Sequence, residues 1–303
     1  MAKRKEVYLK DLGASELEQM TSAKDTEWKN IIDAGAMRII PPSEAEEVRQ
    51  KFGHRIVPSR HCYSWKYKDG NRVGKCRWVG RGDMDPDLKE LNTYSPMITR
   101  EAWMASMQAN VSHGFTIELG DISSAFMNGL PLKRENGPLY CELPADGVPG
   151  AEPGSLLEVL VCVYGFGDAP LSWYKSFAGE ALRAGFQVSS YDPCLFYVHR
   201  NGEYCGSLAL AVDDTCAGGN AYFQECMAKL KARFPFGKYR VGGGDFLGKQ
   251  LHQLPDKSVK VDQRKSAEEL EIINVPTARR RDVRSKCTAP EVSSLRSSLG
   301  ALT

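Results

Sequence analysis

The feature that most constrains this chain is a pair of adjacent aspartates between two apolar segments. In LALAVDDTCAGG, residues 208–219, Asp213 and Asp214 interrupt a run that otherwise has the character of buried strands. Aspartate is depleted in strand interiors, and two adjacent negative charges repel each other. The pair therefore predicts either a solvated turn or a site that holds positive charge.

The segments around this pair indicate antiparallel strands covered by helices. FTIELGDI, residues 115–122, alternates in polarity and predicts a strand that ends near Asp121. Asn201-Gly202 lies between two apolar runs and is typical of a type I′ hairpin turn. Helices are predicted for REAWMASMQANVSHG, LSWYKSFAGEALRAGF and NAYFQECMAKLKARF. This order of elements predicts an α+β fold with the helices on one face of the sheet.

Helical spacing also predicts which residues of these helices face the core. In the first helix they are Trp103, Met104, Met107 and Val111, and in the second Trp173, Tyr174, Phe177, Ala181 and Leu182. The third helix is predicted to be capped by Asn220. Shorter helical pieces are expected near the N-terminus, in SELEQM and EWKNIIDAGAM.

This arrangement would bring the carboxylate of Asp121 next to the turn that contains Asp213. Three carboxylates at strand ends are costly to leave unpaired, and two divalent cations roughly 4 Å apart would compensate them. Ligand sets made only of oxygen favour Mg²⁺ or Mn²⁺ over zinc. The carboxylates of Asp121 and Asp213 are then expected within about 8 Å of each other. The alternative is that the aspartate pair is solvated and has no ligand.

A strongly basic segment lies upstream, in residues 60–81, RHCYSWKYKDGNRVGKCRWVGR. Asp69-Gly70 is typical of a two-residue hairpin turn, and the flanking runs are rich in strand-forming residues. Seven basic residues against one acid give the segment a net charge of +6: Arg60, Lys66, Lys68, Arg72, Lys75, Arg77 and Arg81. Two interpretations are open, a solvated basic surface or a hairpin that grips the phosphates of a nucleic acid.

Composition excludes several other classes of protein. The 303 residues are 42% hydrophobic and 26% charged, which is ordinary for a globular protein. No apolar run approaches the roughly 18 residues of a membrane span, and the N-terminus has no apolar core of a secretory signal. The nine cysteines include no C-x-x-C pair, which argues against a zinc site or a disulfide framework. An intracellular location, cytoplasmic or nuclear, is expected, without membrane association.

Eight short motifs, in order, resemble the reverse transcriptase of copia-type LTR retrotransposons. The resemblance extends from about Trp28 to the last residue. The matching stretches are KCRWVGRG (75–82), YSPM (94–97), ELGDISSAFMNG (118–129), VYGFGDAPLSWY (163–174), YDPCLFYV (191–198), AVDD (211–214), DFLGKQL (245–251) and LRSSLGAL (295–302). Such a likeness implies a right-hand polymerase with fingers, a palm of antiparallel sheet plus helices, and a truncated thumb or connection.

The resemblance also implies domain limits. Residues 1–56 would be an N-terminal lead-in, residues 57–240 the fingers and palm, and residues 241–303 the primer grip and the start of the thumb. Within the middle part, the fingers are expected at about 57–93 and 129–167, and the palm at about 94–128 and 168–240. LRSSLGALT resembles the point just before the family's connection to RNase H, so the chain is expected to stop before that domain.

Carried over residue by residue, the resemblance implies a two-metal active site. Asp121, Asp213 and Asp214 would be the catalytic residues and the ligands of two Mg²⁺ or Mn²⁺ ions. Lys75 and Arg77 match residues that clamp the incoming triphosphate, although a merely solvated role fits these two cations equally well.

Two further matches concern the sugar and the primer. Phe126, five residues after Asp121, matches the bulky residue that excludes a ribonucleotide, and its alternative role is a plain core aromatic. Phe246, Leu247 and Gly248, in GGGDFLG, match the primer grip, where close backbone approach favours glycine.

Three positions depart from the family's pattern. Ala211 stands where an aromatic residue usually precedes VDD, and Leu171 replaces a basic residue. YGFGDAP replaces YGLKQAP, so Asp168 occupies the nucleotide-binding position of a glutamine that contacts the sugar of the nucleotide. An extra carboxylate there should weaken triphosphate binding unless a metal or an arginine neutralises it.

Two functions follow from these observations. The first is an RNA-directed DNA polymerase that joins a dNTP to a primer 3′-hydroxyl by two-metal nucleotidyl transfer, with an RNA template and a DNA primer as partners. The alternative is a catalytically degenerate remnant that binds nucleic acid without chemistry. A palm-like nucleotidyl cyclase is disfavoured by the basic hairpin and by the reach of the motifs.

Overall fold

The structure is a computed structural model that describes residues 6–68, 70–268, 273–282 and 284–302. The described helices are α1 (Ala14–Asp33), α2 (Pro42–Phe52), α3 (Arg100–Ser112), α4 (Ala169–Ala184), α5 (Ala221–Arg233), α6 (Arg264–Glu268), α7 (Thr277–Arg281) and α8 (Ala289–Leu302). The strands are β1 (Met37–Ile40), β2 (Ile56–Val57), β3 (Ser59–Lys68), β4 (Asn71–Gly80), β5 (Ile117–Ile122), β6 (Tyr140–Glu142), β7 (Leu156–Val159), β8 (Gln187–Val188), β9 (Leu195–Arg200), β10 (Glu203–Ala211), β11 (Asp214–Gly219), β12 (Phe236–Val241), β13 (Gly243–Phe246), β14 (Lys249–Gln253) and β15 (Val259–Asp262).

The largest sheet has six strands in the order β12-β5-β11-β10-β9-β8, and all neighbours are antiparallel. The expected β9–β10 hairpin is confirmed: Asn201 and Gly202 have φ values of 54° and 82°, as a type I′ turn requires. The Asn220 cap is also confirmed, since its side chain accepts a hydrogen bond from the Phe223 amide at 3.1 Å. The fold is therefore mixed, with helices on an antiparallel sheet.

Helices cover both faces of this sheet, so the prediction of helices on one face was wrong. A Cβ on Gly218 would lie 3.1 Å from the Asn110 side chain of α3, whereas a Cβ on Gly219 would lie 2.2 Å from Phe223 of α5. Consecutive strand residues point to opposite faces. Hence α3 packs on the face opposite α5, with Ser106 and Ser207 joined by a hydrogen bond of 2.7 Å.

Two predicted core positions on the helices are also wrong. Met104 and Leu182 are exposed, whereas Trp103 and Phe177, predicted on the same apolar stripes, are fully buried. Both exposed residues lie at the margin of the apolar stripe, where helical spacing alone does not settle burial. The two N-terminal helical pieces are parts of one helix, α1.

A second sheet, of four strands, has the order β1-β7-β6-β2. β1 pairs antiparallel with β7, and β2 pairs parallel with β6. The N-terminal segment therefore shares a sheet with residues 140–159. The domain limit predicted at residue 56 falls inside β2, which spans Ile56–Val57.

The predicted basic hairpin is present as β3 and β4, paired from Ser59↔Gly80 to Lys68↔Asn71. Asp69 of the predicted turn lies outside the described residues. One face of the hairpin carries Tyr63, Trp65 and Tyr67, and the Arg72 guanidinium stacks 4.1 Å from the Trp65 ring. This face packs on α1, where Met20 and Tyr63 are buried together.

The base of the hairpin docks through three glycines. A Cβ on Gly165 would lie 2.0 Å from the Gly80 carbonyl oxygen, and one on Gly82 would lie 2.1 Å from the Gly165 carbonyl oxygen. Gly165 also has a φ of 101°, which L residues with a side chain rarely adopt. The approach of backbone to backbone positions the hairpin relative to the segment that leads into α4.

No helix among the described residues combines the length and the apolar character needed to cross a membrane. All nine cysteines are free thiols, seven of them buried.

The close approach at Gly82 gives a stability prediction. Gly82→Ala should lower the free energy of unfolding by about 1–3 kcal/mol, because the added methyl overlaps the Gly165 carbonyl oxygen and forces the two segments apart. Urea unfolding of the full chain measures this. Gly53→Ala is the matched control, since Gly53 has helical backbone angles and open space around its Cβ position. Equal stability of the two variants would contradict the prediction.

Candidate active site

The turn between β10 and β11 holds Asp213 in a strained backbone. Ala211 pairs with Asp214, which leaves Val212 and Asp213 as a two-residue turn. Val212 has a φ of 59°, in a region that β-branched residues rarely adopt. The Trp173 indole donates to the Val212 carbonyl oxygen at 2.6 Å, and the Ile122 amide donates to the Asp213 carbonyl oxygen at 2.8 Å. Tertiary hydrogen bonds therefore hold the strained turn in place.

The pairing of β5 with β11 places Asp121 directly opposite Asp214. Like charges opposite each other destabilise a sheet, and the pKa of Asp214 shows this effect. Burial, Asp213 and Asp121 together raise the pKa of Asp214 to about 6. Burial and Asp213 also raise the pKa of Asp121, while Lys238 and Lys75 oppose the rise. The three predicted catalytic aspartates thus share one electrostatic neighbourhood.

Two cations that no sequence motif signalled, Lys238 and Arg240 on β12, lie beside this pair. Lys238 lies opposite Asp121 on the far side of β5. The two residues alternate along FGKYRV, so the period of two was a signal that could have identified both the strand and its cationic face.

A cleft of about 380 Å³ opens at this edge of the sheet. Its lining combines Asp121 and Asp214 with three cations and with the predicted primer grip. The residues are Leu119, Gly120, Asp121, Asp214, Lys238, Arg240, Asp245, Phe246, Leu247, Gly248, Gln250 and Lys265. Two of the three predicted catalytic residues, Asp121 and Asp214, therefore border the same space as the predicted primer grip.

The predicted primer grip is the turn between β13 and β14. Phe246 is buried, with its ring 5.4 Å from that of Trp103. Leu247 and Gly248 have φ values of 49° and 73°, as in a tight two-residue hairpin. The anchored Phe246 fixes where this turn meets the cleft.

The predicted nucleotide-binding residues Lys75, Arg77 and Phe126 approach the site from the hairpin side. The Arg77 guanidinium lies 4.8 Å from the centroid of the Tyr164 ring, and that ring contacts Phe126 edge-on at 5.1 Å. Phe126 is half-buried and packs against both of the main hydrophobic clusters. Tyr164 had no role in the sequence interpretation, although it lies within the YGFG motif. The Tyr164 ring contacts both Arg77 and Phe126.

Asp168 lies in a different cluster, paired with Arg134. Its carboxylate is 2.8 Å from the Arg134 guanidinium and accepts a hydrogen bond from the Cys162 thiol at 3.2 Å. Arg134 is buried and also pairs with Asp85 at 3.1 Å. The extra carboxylate is therefore neutralised by an arginine, one of the two conditions set by the sequence. Arg134 and Asp85 are distant in sequence from Asp168, and no motif signalled them.

The same cluster continues to a second buried arginine. Arg55 donates to both carboxylate oxygens of Asp87, at 3.0 and 2.6 Å. Hydrogen bonds from Arg55, and a further one from Asn136, lower the pKa of Asp87 to about 2 against the opposing effect of burial. Bidentate pairs of this kind are geometrically specific. The ion pairs of Arg55 and Arg134 therefore fix the relative positions of the segments around residues 55, 85, 134 and 168.

The donor chemistry of the aspartate site fits a hard divalent cation, because such cations prefer oxygen ligands. A cation would also relieve the repulsion between carboxylates on the two paired strands. Across residues 6–68, 70–268, 273–282 and 284–302, however, no group of three or more His, Cys, Asp or Glu side chains is already gathered around one point as a metal site. Two-metal binding at Asp121, Asp213 and Asp214 stays a prediction.

The raised pKa of Asp214 predicts how stability depends on pH. In the folded state the Asp214 carboxyl keeps its proton up to about pH 6. In the unfolded chain the same carboxyl loses its proton near pH 4. Stability should therefore fall as pH rises through this interval. Asp214→Asn should be more stable than wild type at pH 7.5 by about 1–2 kcal/mol, after allowance for solvent screening, and equal to it below pH 4.

Urea unfolding at several pH values measures this difference, with the exposed Asp25→Asn as control. The prediction is contradicted if the excess stability of Asp214→Asn over wild type grows as the pH is lowered.

A second prediction concerns the buried arginine. Arg134→Met should cost about 3–5 kcal/mol of unfolding free energy, because it leaves the buried carboxylate of Asp85 and the partly buried one of Asp168 without their partner. Arg81→Met is the control, since the Arg81–Asp83 pair is exposed and such pairs contribute about 0–1 kcal/mol. The prediction fails if the two substitutions have similar effects in thermal or urea unfolding.

Sequence relatives were found among transposon polyproteins, and no protein-family model matches the chain. The chain is 26% identical over 201 residues to the retrovirus-related Pol polyprotein from transposon RE1 of Arabidopsis thaliana, a match that covers 65% of this chain. It is 27% identical over 168 residues to that from transposon RE2 of the same plant, and 23% identical over 182 residues to that from transposon TNT 1-94 of Nicotiana tabacum. Each of the latter matches covers 54% of this chain.

The matched regions span 11–13% of the length of these relatives. Among solved structures, a foamy viral protease-reverse transcriptase in complex with double-stranded DNA is similar with a TM-score of 0.40 and 12% identity, over 80% of this chain and 35% of that one. The chain is thus similar in sequence, over more than half of its length, to Pol polyproteins of copia-type transposons, as its motifs predicted.

Proposed function

We propose that the chain is the RNA-directed DNA polymerase module of a copia-like retrotransposon, which transfers a nucleotidyl group from a dNTP to a primer 3′-hydroxyl. The observation that carries the proposal is the pairing of Asp121 with Asp214 across β5 and β11, with Asp213 in the adjacent turn. Aspartates with raised pKa values beside cations in an open cleft are typical of functional sites. The similarity to Pol polyproteins supports the same reaction.

In this proposal the fold divides as a right hand. The six-stranded sheet with α3, α4 and α5 is the palm, and the β3–β4 hairpin belongs to the fingers. The strands β13–β15 begin the thumb.

Asp121, Asp213 and Asp214 would hold the two Mg²⁺ or Mn²⁺ ions. When bound, such ions lower the pKa of an attacking hydroxyl and stabilise a leaving pyrophosphate. The chain's own residues bind and orient the substrates. Lys75 and Arg77 contact the triphosphate, since the charge of Lys75 lowers the pKa of Asp121 and the Arg77 guanidinium lies over the Tyr164 ring, which contacts Phe126.

Two other groups orient the sugar and the primer. The Phe126 ring, held edge-on by Tyr164, excludes a 2′-hydroxyl by steric overlap. The Leu247-Gly248 turn contacts the primer backbone near Lys238 and Arg240, whose charges suit phosphate.

Primer extension on poly(A)/oligo(dT) tests the proposal, with magnesium and then with manganese. Wild type should extend the primer, and Asp121→Asn and Asp213→Asn should each reduce the rate at least about 100-fold, because each removes charge that stabilises the transition state. Asp25→Asn, with the same chemical change on the exposed side of α1, should retain full activity. Absence of extension with both metals, in a chain that still binds the hybrid, would overturn the proposal in favour of a non-catalytic nucleic-acid-binding remnant.

A further inference from the structure

Trp173 of helix α4 differs from other buried tryptophans in what its indole N–H does. The side chain is buried, and its N–H donates to the Val212 carbonyl oxygen at 2.6 Å. In the part of the chain that the structure describes, the indole N–H groups of Trp28 and Trp78 are buried without a hydrogen-bond partner. Helical spacing predicted only a core position for Trp173, and that role does not account for its hydrogen bond.

The acceptor of this bond lies in a turn whose sequence does not suit its shape. Val212 and Asp213 link β10 to β11 as a two-residue hairpin turn, and of the two only Val212 has a positive φ, 59°. Positive φ at the first position alone is the pattern of a type II′ turn, where glycine is preferred. A β-branched residue is strained there, and such strain persists only where the surrounding structure holds it.

The donor, in contrast, has a fixed position in the core. The Trp173 ring contacts Phe234 at a centroid distance of 5.1 Å and Phe177 at 5.6 Å, both edge-on. Phe177 follows Trp173 by one helical turn, and both phenylalanines are fully buried. Because the donor is packed and the acceptor is a strained backbone, the hydrogen bond constrains the turn and not the helix.

The next carbonyl group along the chain is held as well. The Asp213 carbonyl oxygen accepts a hydrogen bond at 2.8 Å from the amide of Ile122, the residue after Asp121. The two carbonyl groups that flank the α-carbon of Asp213 are therefore fixed, one by α4 and the other by β5. The φ and ψ angles of Asp213 lie between these two peptide planes, so the two bonds together set the direction in which its side chain leaves the backbone.

We propose that Trp173 is a positioning residue for Asp213: its hydrogen bond selects the strained form of the turn, and with it the orientation of the carboxylate that would bind a divalent cation beside Asp121. This inference rests on the proposed function, in which these aspartates hold the metal ions. Without the bond, Val212 should relax to a negative φ, which β-branched residues favour. The turn would then be competent for only part of the time, and the apparent affinity for metal would fall by the same fraction.

Binding of Mn²⁺ to the full chain, measured from the electron paramagnetic resonance signal of the free ion, tests this without catalysis. Trp173→Phe keeps an aromatic ring in the core and removes the donor. It should raise the dissociation constant about fivefold or more, the scale of one lost hydrogen bond acting through the fraction of competent turn. Trp28→Phe is the matched control, because it makes the same change at a buried indole whose N–H has no partner among the described residues. It should leave the dissociation constant unchanged.

Val212→Gly separates this role from simple packing, because glycine adopts a positive φ without strain. In a chain that carries Val212→Gly, adding Trp173→Phe should change the dissociation constant by less than about twofold, whereas a packing role predicts the same loss in both backgrounds. Val212→Gly by itself should melt at or above the temperature of wild type. That measurement tests the strain even if Trp173→Phe does not fold.

Equal Mn²⁺ binding by Trp173→Phe and wild type overturns the inference. Equal losses with and without Val212→Gly overturn it too, as does a lower melting temperature of Val212→Gly than of wild type. A wild-type chain that binds no Mn²⁺ refutes both this inference and the two-metal site. A chain that shows the expected binding pattern but extends no primer would refute the polymerase proposal and leave the role of Trp173 supported.

Discussion

The antiparallel pairing of β5 with β11 is the interaction on which the site depends. It sets Asp121 against Asp214 at the ends of two interior strands of the six-stranded sheet, where two like charges oppose folding. The pairing persists because the same strands bury apolar side chains on both faces, Leu119 on one and Ala217 on the other. The hydrophobic contribution of this core offsets local repulsion. The packing of the two strands therefore holds the carboxylates together, although their mutual repulsion lowers the stability of the fold.

One strained turn directly precedes Asp214 in the lining of the cleft and another lines the cleft itself, and each is held by a contact with a helix. Val212 and Leu247 both have positive φ values, which neither residue favours. The Trp173 indole fixes the first turn by a hydrogen bond, and the packing of Phe246 on Trp103 fixes the second. Both anchors, Trp173 of α4 and Trp103 of α3, come from helices packed on the sheet, so each turn is held by the core.

Charge balance follows the same logic on the hairpin side. The departure at Asp168 looked unfavourable for triphosphate binding, yet its carboxylate is paired with Arg134 in a buried cluster. On the hairpin, the charge of Lys75 lowers the pKa of Asp121, and the Arg77 guanidinium lies over the Tyr164 ring. The carboxylate at position 168 is thus neutralised by its own arginine, without either of these two cations.

Local patterns in the sequence determined the helices α3 to α5, the Asn201-Gly202 turn and the basic hairpin, because capping residues, turn residues and periodicity act over a few positions. The motifs also identified the three aspartates. Only the tertiary structure decided that Asp121 faces Asp214, that Lys238 lies beside them and that Arg134 neutralises Asp168. These contacts join residues tens of positions apart, and their geometry depends on strand register and on shared burial. A short sequence window contains neither.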